Sequence, residues 1–279
     1  MATNPITVKK TTNLTTARWF SENPNKAWGE KFFLIYSPIW ILMMAISTWL
    51  GTSQHLGDIA NLIQSAVIAL PLIVVPFFIR NESGIGRPWY QSYWFKANLY
   101  IFIFSCFGNY FGSEYFFDVL GMVYNYPNLH LNLDSALLGS GTQHVPIIMY
   151  LLTQVYFMTY HTTAVVVLRR IKTSRIPWAR WLFPIILLVV AYFWAWMETR
   201  AMATPMLQGT FYYRDINRML SYGSLIYASY FVTSFPIFYF LDEKSDENWG
   251  LLRTIAAGLS ASMLTFFLLD LWTRFIGHI

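Results

Sequence analysis

Seven apolar runs recur along the chain, near residues 32–50, 59–79, 97–119, 145–168, 181–203, 219–241 and 253–276. Each approaches the ~20 residues a helix needs to cross a bilayer, and polar stretches separate them. The inward–outward alternation of a β-barrel is missing. The pattern therefore predicts an all-α, polytopic membrane bundle of about seven transmembrane helices. A Thr- and Asn-rich opening, residues 1–18, reads as a disordered tail, and residues 19–279 as a single transmembrane domain. Nothing before Phe32 resembles the apolar core of a signal peptide.

Charge orients the bundle. Lys9, Lys10, Arg18, Lys26, Lys31, Arg80, Arg87, Lys96, Arg169, Arg170, Lys172, Arg175, Arg180, Lys244 and Arg253 fall on one side, which is 15 of the 19 basic residues. The positive-inside rule makes that side, and the N-terminus, cytosolic. This bias accounts for the net charge of +5, so no nucleic-acid partner is expected. Overall 56% of residues are hydrophobic and 12% charged, against about 25% charged in soluble domains. Cys106 is the single cysteine, which excludes an internal disulfide and a cysteine-based metal site. No nucleotide or metal motif is present, so no cofactor and no bound metal are expected.

Against this background the polar residues inside the apolar runs stand out, because ionisable groups in hydrocarbon are costly and mark functional sites. Glu198 lies in the fifth run with Trp194 one turn before it and no partner in its own helix. An unpartnered carboxyl in apolar surroundings is cheapest as the neutral acid, which can give up a proton. The alternative is a carboxyl that only hydrogen-bonds two helices. Asp270 has Arg274 at the spacing of an ion pair, and Glu114 and Asp118 are four apart, a like-charge pair expected at the outer surface. Counted from the span ends, Glu114, Glu198 and Asp270 share a layer roughly 8 Å below the non-cytosolic surface at ~1.5 Å per residue. His161 lies in the opposite half, beside Tyr160, on a face with Thr153, Tyr156 and Thr163. It is either a packing residue or a proton carrier. Asn98 and Asn109 suit interhelical hydrogen bonds. Aromatics make up 19% of the chain; most anchor the interface, while some can face a cation.

Several runs together resemble the cycloeucalenol cycloisomerase family of plant sterol synthesis. They are Glu22-Asn23-Pro24, Trp28-Gly29-Glu30, Tyr93-Trp94, Lys96-Ala97-Asn98, Gly108-Asn109-Tyr110-Phe111 and Tyr160-His161 in the first part. Leu168-Arg169-Arg170, Glu198-Thr199, Tyr227-Ala228, Ser234-Phe235-Pro236, Asp242-Glu243-Lys244-Ser245 and Leu269-Asp270-Leu271-Trp272 follow in the same order. The likeness spans Trp19 to the C-terminus. It departs in a longer loop over Leu131 to Gly141, and Glu114 is foreign to the pattern.

The resemblance implies a sterol isomerase. A 9β,19-cyclopropyl sterol accepts a proton at carbon 19, positive charge develops at carbon 9, and loss of the carbon 8 proton gives a Δ8 sterol. Glu198, His161 and Asp270 are the catalytic candidates; Asn109, Tyr110, Tyr160, Trp194 and Tyr227 are the substrate-binding ones. A sterol held by its 3-hydroxyl at the non-cytosolic interface would bring carbon 19 roughly 7 Å deeper, five or so bonds of about 1.5 Å, near the layer of Glu198. The implied partners are a membrane-dissolved cyclopropyl sterol and the bilayer. The implied location is the endoplasmic reticulum, or the cytoplasmic membrane in a bacterium. Rival readings are a Δ8–Δ7 sterol isomerase of the emopamil-binding type and a non-enzymatic sterol-binding or transport protein. Against a transporter, no paired broken helices or repeats are visible. Against a seven-helix receptor stands the cytosolic N-terminus.

Overall fold

The computed structural model describes residues 17–79, 86, 88–174, 176 and 178–276. Most of the expected tail, residues 1–16, lies outside the described residues, as do Lys9, Lys10, Arg80, Arg87 and Arg175.

Helix α1, Pro24–Trp49, opens on Asn23, whose side chain accepts from the Asn25 amide, with Pro24 preset at the first turn. A short α2, Thr52–His55, leads to α3, Asp58–Ala69, and α4, Pro71–Phe78. The apolar run over 59–79 is thus two helices bent by 46°. Pro71 explains the break, since it has no amide hydrogen to continue the ladder. Helix α5, Tyr93–Phe107, continues through a π-turn, Gly108–Gly112, into α6, Ser113–Asp118. After α7, Ile148–Lys172, and α8, Ala179–Met202, a second π-turn, Met219–Gly223, joins α9, Ile216–Arg218, to α10, Ser224–Phe240. Helix α11, Leu251–Ile276, ends the described chain.

Four helices, α1, α7, α8 and α11, are long and apolar enough to cross a membrane, and the bent α3–α4 pair makes a fifth candidate. The remaining two apolar runs are helical but are divided by the π-turns. Helix α7 is central: 67% of its most apolar stretch is buried, against 22% in α8. Helix α8 instead leaves Ile185, Leu188, Val189 and Phe193 exposed, an apolar surface suited to lipid.

Two strands interrupt the helical pattern. β1, Met122–Tyr124, pairs antiparallel with β2, Phe211–Tyr213, with Val123 opposite Tyr212. Neither three-residue strand carries a readable period, so the apolar pattern did not predict them.

Three basic residues counted as cytosolic are fully buried: Lys26, Lys96 and Arg169. Arg169 donates to Glu30 Oε1 at 2.6 Å and to Glu243 Oε1 at 2.6 Å. Lys26 reaches Glu243 Oε2 at 3.0 Å and the carbonyls of Tyr239 and Leu241 at 2.7 Å each. Lys96 pairs with Asp242 and donates to Asn248 Oδ1 at 2.5 Å. This network ties α1, α5 and α7 to the α10–α11 connection. Burial alone would raise the Glu243 carboxyl, but the hydrogen bonds from Arg169 and the Lys26 charge win and hold it below the usual carboxylate range.

Candidate active site

Glu198, near the C-terminal end of α8, turns into the bundle. Its Oε2 accepts a 2.5 Å hydrogen bond from the Tyr227 hydroxyl of α10. The Tyr160 hydroxyl of α7 also lies against the carboxyl. Behind it, Trp194 stacks on Tyr160 with ring centroids 4.4 Å apart and planes 24° apart. One turn of α8 thus supplies both the acid and the ring that fixes its neighbour, because positions 194 and 198 share a helix face.

The carboxyl lines a cavity of about 60 Å³. At ~10–15 Å³ per water this holds only a few water molecules, whereas pockets for drug-sized ligands run to ~300 Å³ or more. A large ligand can reach Glu198 only if the walls part. Phe116, Phe157, Tyr227 and Tyr230 form aromatic walls, and Met149 and Met202 add sulfur-containing ones. Phe116 and Tyr227 meet edge to face at 4.9 Å. On another wall Thr153 donates to the Met149 carbonyl at 2.6 Å. Thr153 Oγ1 therefore accepts from Asn109 and Tyr156, each at 2.9 Å. Met122, Tyr124, Phe211 and Tyr213 reach the cavity from β1 and β2, so the strand pair forms part of its cover. Among the described residues of the lining, Glu198 is the one charged or basic side chain.

The expected site residues divide by position. Glu198, Asn109 and Tyr227 line the cavity, while Tyr160 and Trp194 form the layer behind the carboxyl. Tyr110 stands outside the lining, packed on Phe111 at 4.8 Å. His161 is fully buried but elsewhere, among Phe157, Phe235 and Phe238. Its Nδ1 donates to the Phe157 carbonyl at 2.7 Å, and its Nε2 pairs with the Ser234 hydroxyl at 2.8 Å. Asp270 pairs with Arg274 at 3.2 Å on a face where its side chain is 52% exposed. The three acids given one layer therefore point in three directions. Glu114 also departs from its expected surface position: it is buried, and a side chain at Gly139, whose φ is +85°, would collide with its carboxylate. Tyr124, Tyr213 and Phe211 went unforeseen. They enter the site through pairing of two distant loops, which no local pattern encodes.

A half-buried carboxyl held among tyrosines and aromatic rings on apolar helices is suited to proton chemistry. The chain is 37% identical over 269 residues to the cycloeucalenol cycloisomerase of Arabidopsis thaliana, covering 94% of this chain and 90% of the relative. It belongs to the cycloeucalenol cycloisomerase family and is an isomerase. No family model and no solved structure matches it.

Proposed function

We propose that the protein opens the 9β,19-cyclopropane ring of a membrane-dissolved sterol, converting a cycloeucalenol-like substrate to an obtusifoliol-like Δ8 product. The observation that carries this is the half-buried Glu198 carboxyl on Tyr227, in an aromatic cavity where no other charged group lines it among the described residues. Glu198 gives a proton to carbon 19 as the bond between carbons 9 and 19 breaks. The Tyr227 hydroxyl, and Tyr160 beside it, then hold the carboxylate that forms, since hydrogen bonds to an ionised acceptor are the strong ones. The ring faces of Phe116, Phe157 and Tyr230 meet the positive charge at carbon 9. Loss of the carbon 8 proton completes the Δ8 bond. Proton addition balances proton loss, so the reaction asks for no redox partner.

The chain crosses the membrane seven times in this reading, with the N-terminus cytosolic and the endoplasmic reticulum as its home in a eukaryote. The two π-turned segments provide the sixth and seventh crossings beside the five helical candidates. Sterol reaches Glu198 by parting the walls that narrow the cavity. Expression in yeast fed with cycloeucalenol tests the function: obtusifoliol detected by mass spectrometry supports it. Unchanged cycloeucalenol, with a Δ8 sterol shifted to Δ7, would instead favour the emopamil-binding type of isomerase.

A further inference from the structure

We infer that Asn109, Thr153 and Tyr156 hold the 3-hydroxyl group of the sterol, as a wall that can accept hydrogen bonds but not donate them. Such a wall selects the alcohol over the corresponding 3-ketone. This rests on the cyclopropane-opening reading above and extends it to how the substrate is bound. All three residues line the same cavity as Glu198. Asn109 and Thr153 are buried, and Asn109 stands in the first π-turn, Gly108–Gly112, a widening of the helix common at functional sites. The hydrogens of this wall can be counted. Thr153 has one, given to the Met149 carbonyl at 2.6 Å. The Asn109 amide has two, given to the Ser105 carbonyl and to Thr153 Oγ1, each at 2.9 Å. Because a carbonyl cannot donate, the bond to Ser105 also fixes which end of the amide is nitrogen. Tyr156 gives its hydrogen to Thr153 Oγ1 at 2.9 Å.

The three side chains thus keep no polar hydrogen for a ligand, whereas two oxygens, Asn109 Oδ1 and Tyr156 Oη, keep lone pairs. The approach of Thr153 Oγ1 to Asn109 Oδ1 at 3.4 Å does not satisfy that oxygen, since the Thr153 hydrogen is at Met149. A buried acceptor calls for a donor, and a hydroxyl supplies one. A ketone would set its own lone pairs against theirs. The Tyr230 hydroxyl, also in the lining, can turn to give or to take and sets no such polarity. Two backbone carbonyls, those of Ser105 and Met149, anchor the wall, so it keeps its polarity when the aromatic walls part. The sterol's dimensions suit the arrangement. Its 3-hydroxyl oxygen and carbon 19 are five or so bonds of about 1.5 Å apart, so one cavity can meet the hydroxyl at this wall and carbon 19 at Glu198. The hydroxyl is thereby held inside the bundle and not at the non-cytosolic interface.

Substrate discrimination tests this. Purified full-length protein in lipid nanodiscs receives cycloeucalenol or its 3-oxo counterpart, and kcat/KM for ring opening is measured for each. The inference predicts a preference for the alcohol of at least ~10²-fold, since a site built to bond a hydroxyl rejects an analogue lacking it strongly. Tyr156→Phe keeps the ring and removes one of the two accepting oxygens. It should narrow the preference roughly 3- to 10-fold, the scale of one neutral hydrogen bond, because the alcohol loses a contact that the ketone never made. A purely structural role for Tyr156 would lower both substrates in step and leave the ratio unmoved. Equal opening of the alcohol and the ketone by the unaltered protein, or an unmoved ratio in Tyr156→Phe, would overturn the inference and leave the ring-opening function standing. Failure to open either sterol would strike the proposed function, and this inference with it.

Discussion

A side chain at Gly112 would place its Cβ 1.8 Å from the Tyr230 hydroxyl, so the phenol of Tyr230 occupies the notch that this glycine leaves. Gly112 ends the first π-turn, and Tyr230 is a wall of the cavity, meeting Tyr227 edge to face at 5.4 Å. Gly112→Ala is expected to displace Tyr230 and lower turnover ~10- to 10²-fold, the scale of a small misplacement near the chemistry. Without its hydroxyl the ring's nearest atom would lie 3.1 Å from that Cβ, a gap that a small shift relieves. Gly112→Ala combined with Tyr230→Phe should therefore recover much of the loss. Steady-state rates of both variants check it; a double variant no better than the single one would contradict the packing account.

Arg169 holds Glu30 and Glu243 at once, with no exposure of its own side chain. Arg169→Met strands carboxylates in a buried place and should cost about 3–5 kcal/mol, the range for breaking a buried pair from one side. Thermal unfolding in detergent reads this directly. A melting temperature equal to that of the unaltered protein would contradict the structural role.

Glu243 gives that network a pH dependence. Its folded carboxyl is held below the ordinary value, which is about 4.3 for an unfolded glutamate. Its stabilisation is therefore fully present above about 4.3 and fades as pH falls toward the folded value. Unfolding curves of the unaltered protein should weaken below about pH 4.3. Glu243→Gln should be less stable at neutral pH and lose this part of the acid sensitivity.

His161 is expected to support the core and not the chemistry, given its bonds to Phe157 and Ser234 outside the cavity. His161→Asn should reduce thermal stability while the turnover of protein that remains folded stays within about threefold, well short of the ~10²-fold loss typical of a missing acid or base. A loss of turnover on that scale in well-folded protein would return His161 to the mechanism.

Much of this was legible in the sequence because the bilayer simplifies the code: a run such as 181–203 is readable as a helix from apolar length alone. Glu198 was legible for the same reason, as an acid where acids are costly. Depth was estimated along each helix, but rotation about its axis was not. Asp270 was thus grouped with Glu198 although it faces outward. The motif runs around Glu30, Lys96, Arg169 and Asp242 were visible as resemblance, yet their meeting in one buried network depends on how α1, α5 and α7 pack. The contribution of Tyr124 and Tyr213 depends on strand pairing across nearly ninety residues of chain, 124 to 211 in register. No single-sequence period carries that information.

The central claim is that the Glu198 carboxyl supplies the proton that opens the ring. Glu198→Gln tests it most directly, because the amide oxygen still accepts from Tyr227 and the fold has no reason to change. The measurement is the rate of Δ8 product formation from a cyclopropyl sterol by purified, folded Glu198→Gln protein beside the unaltered enzyme. The account predicts a fall of at least ~10²-fold, the effect of losing a general acid. A rate close to that of the unaltered enzyme would contradict it and remove Glu198 from the chemistry.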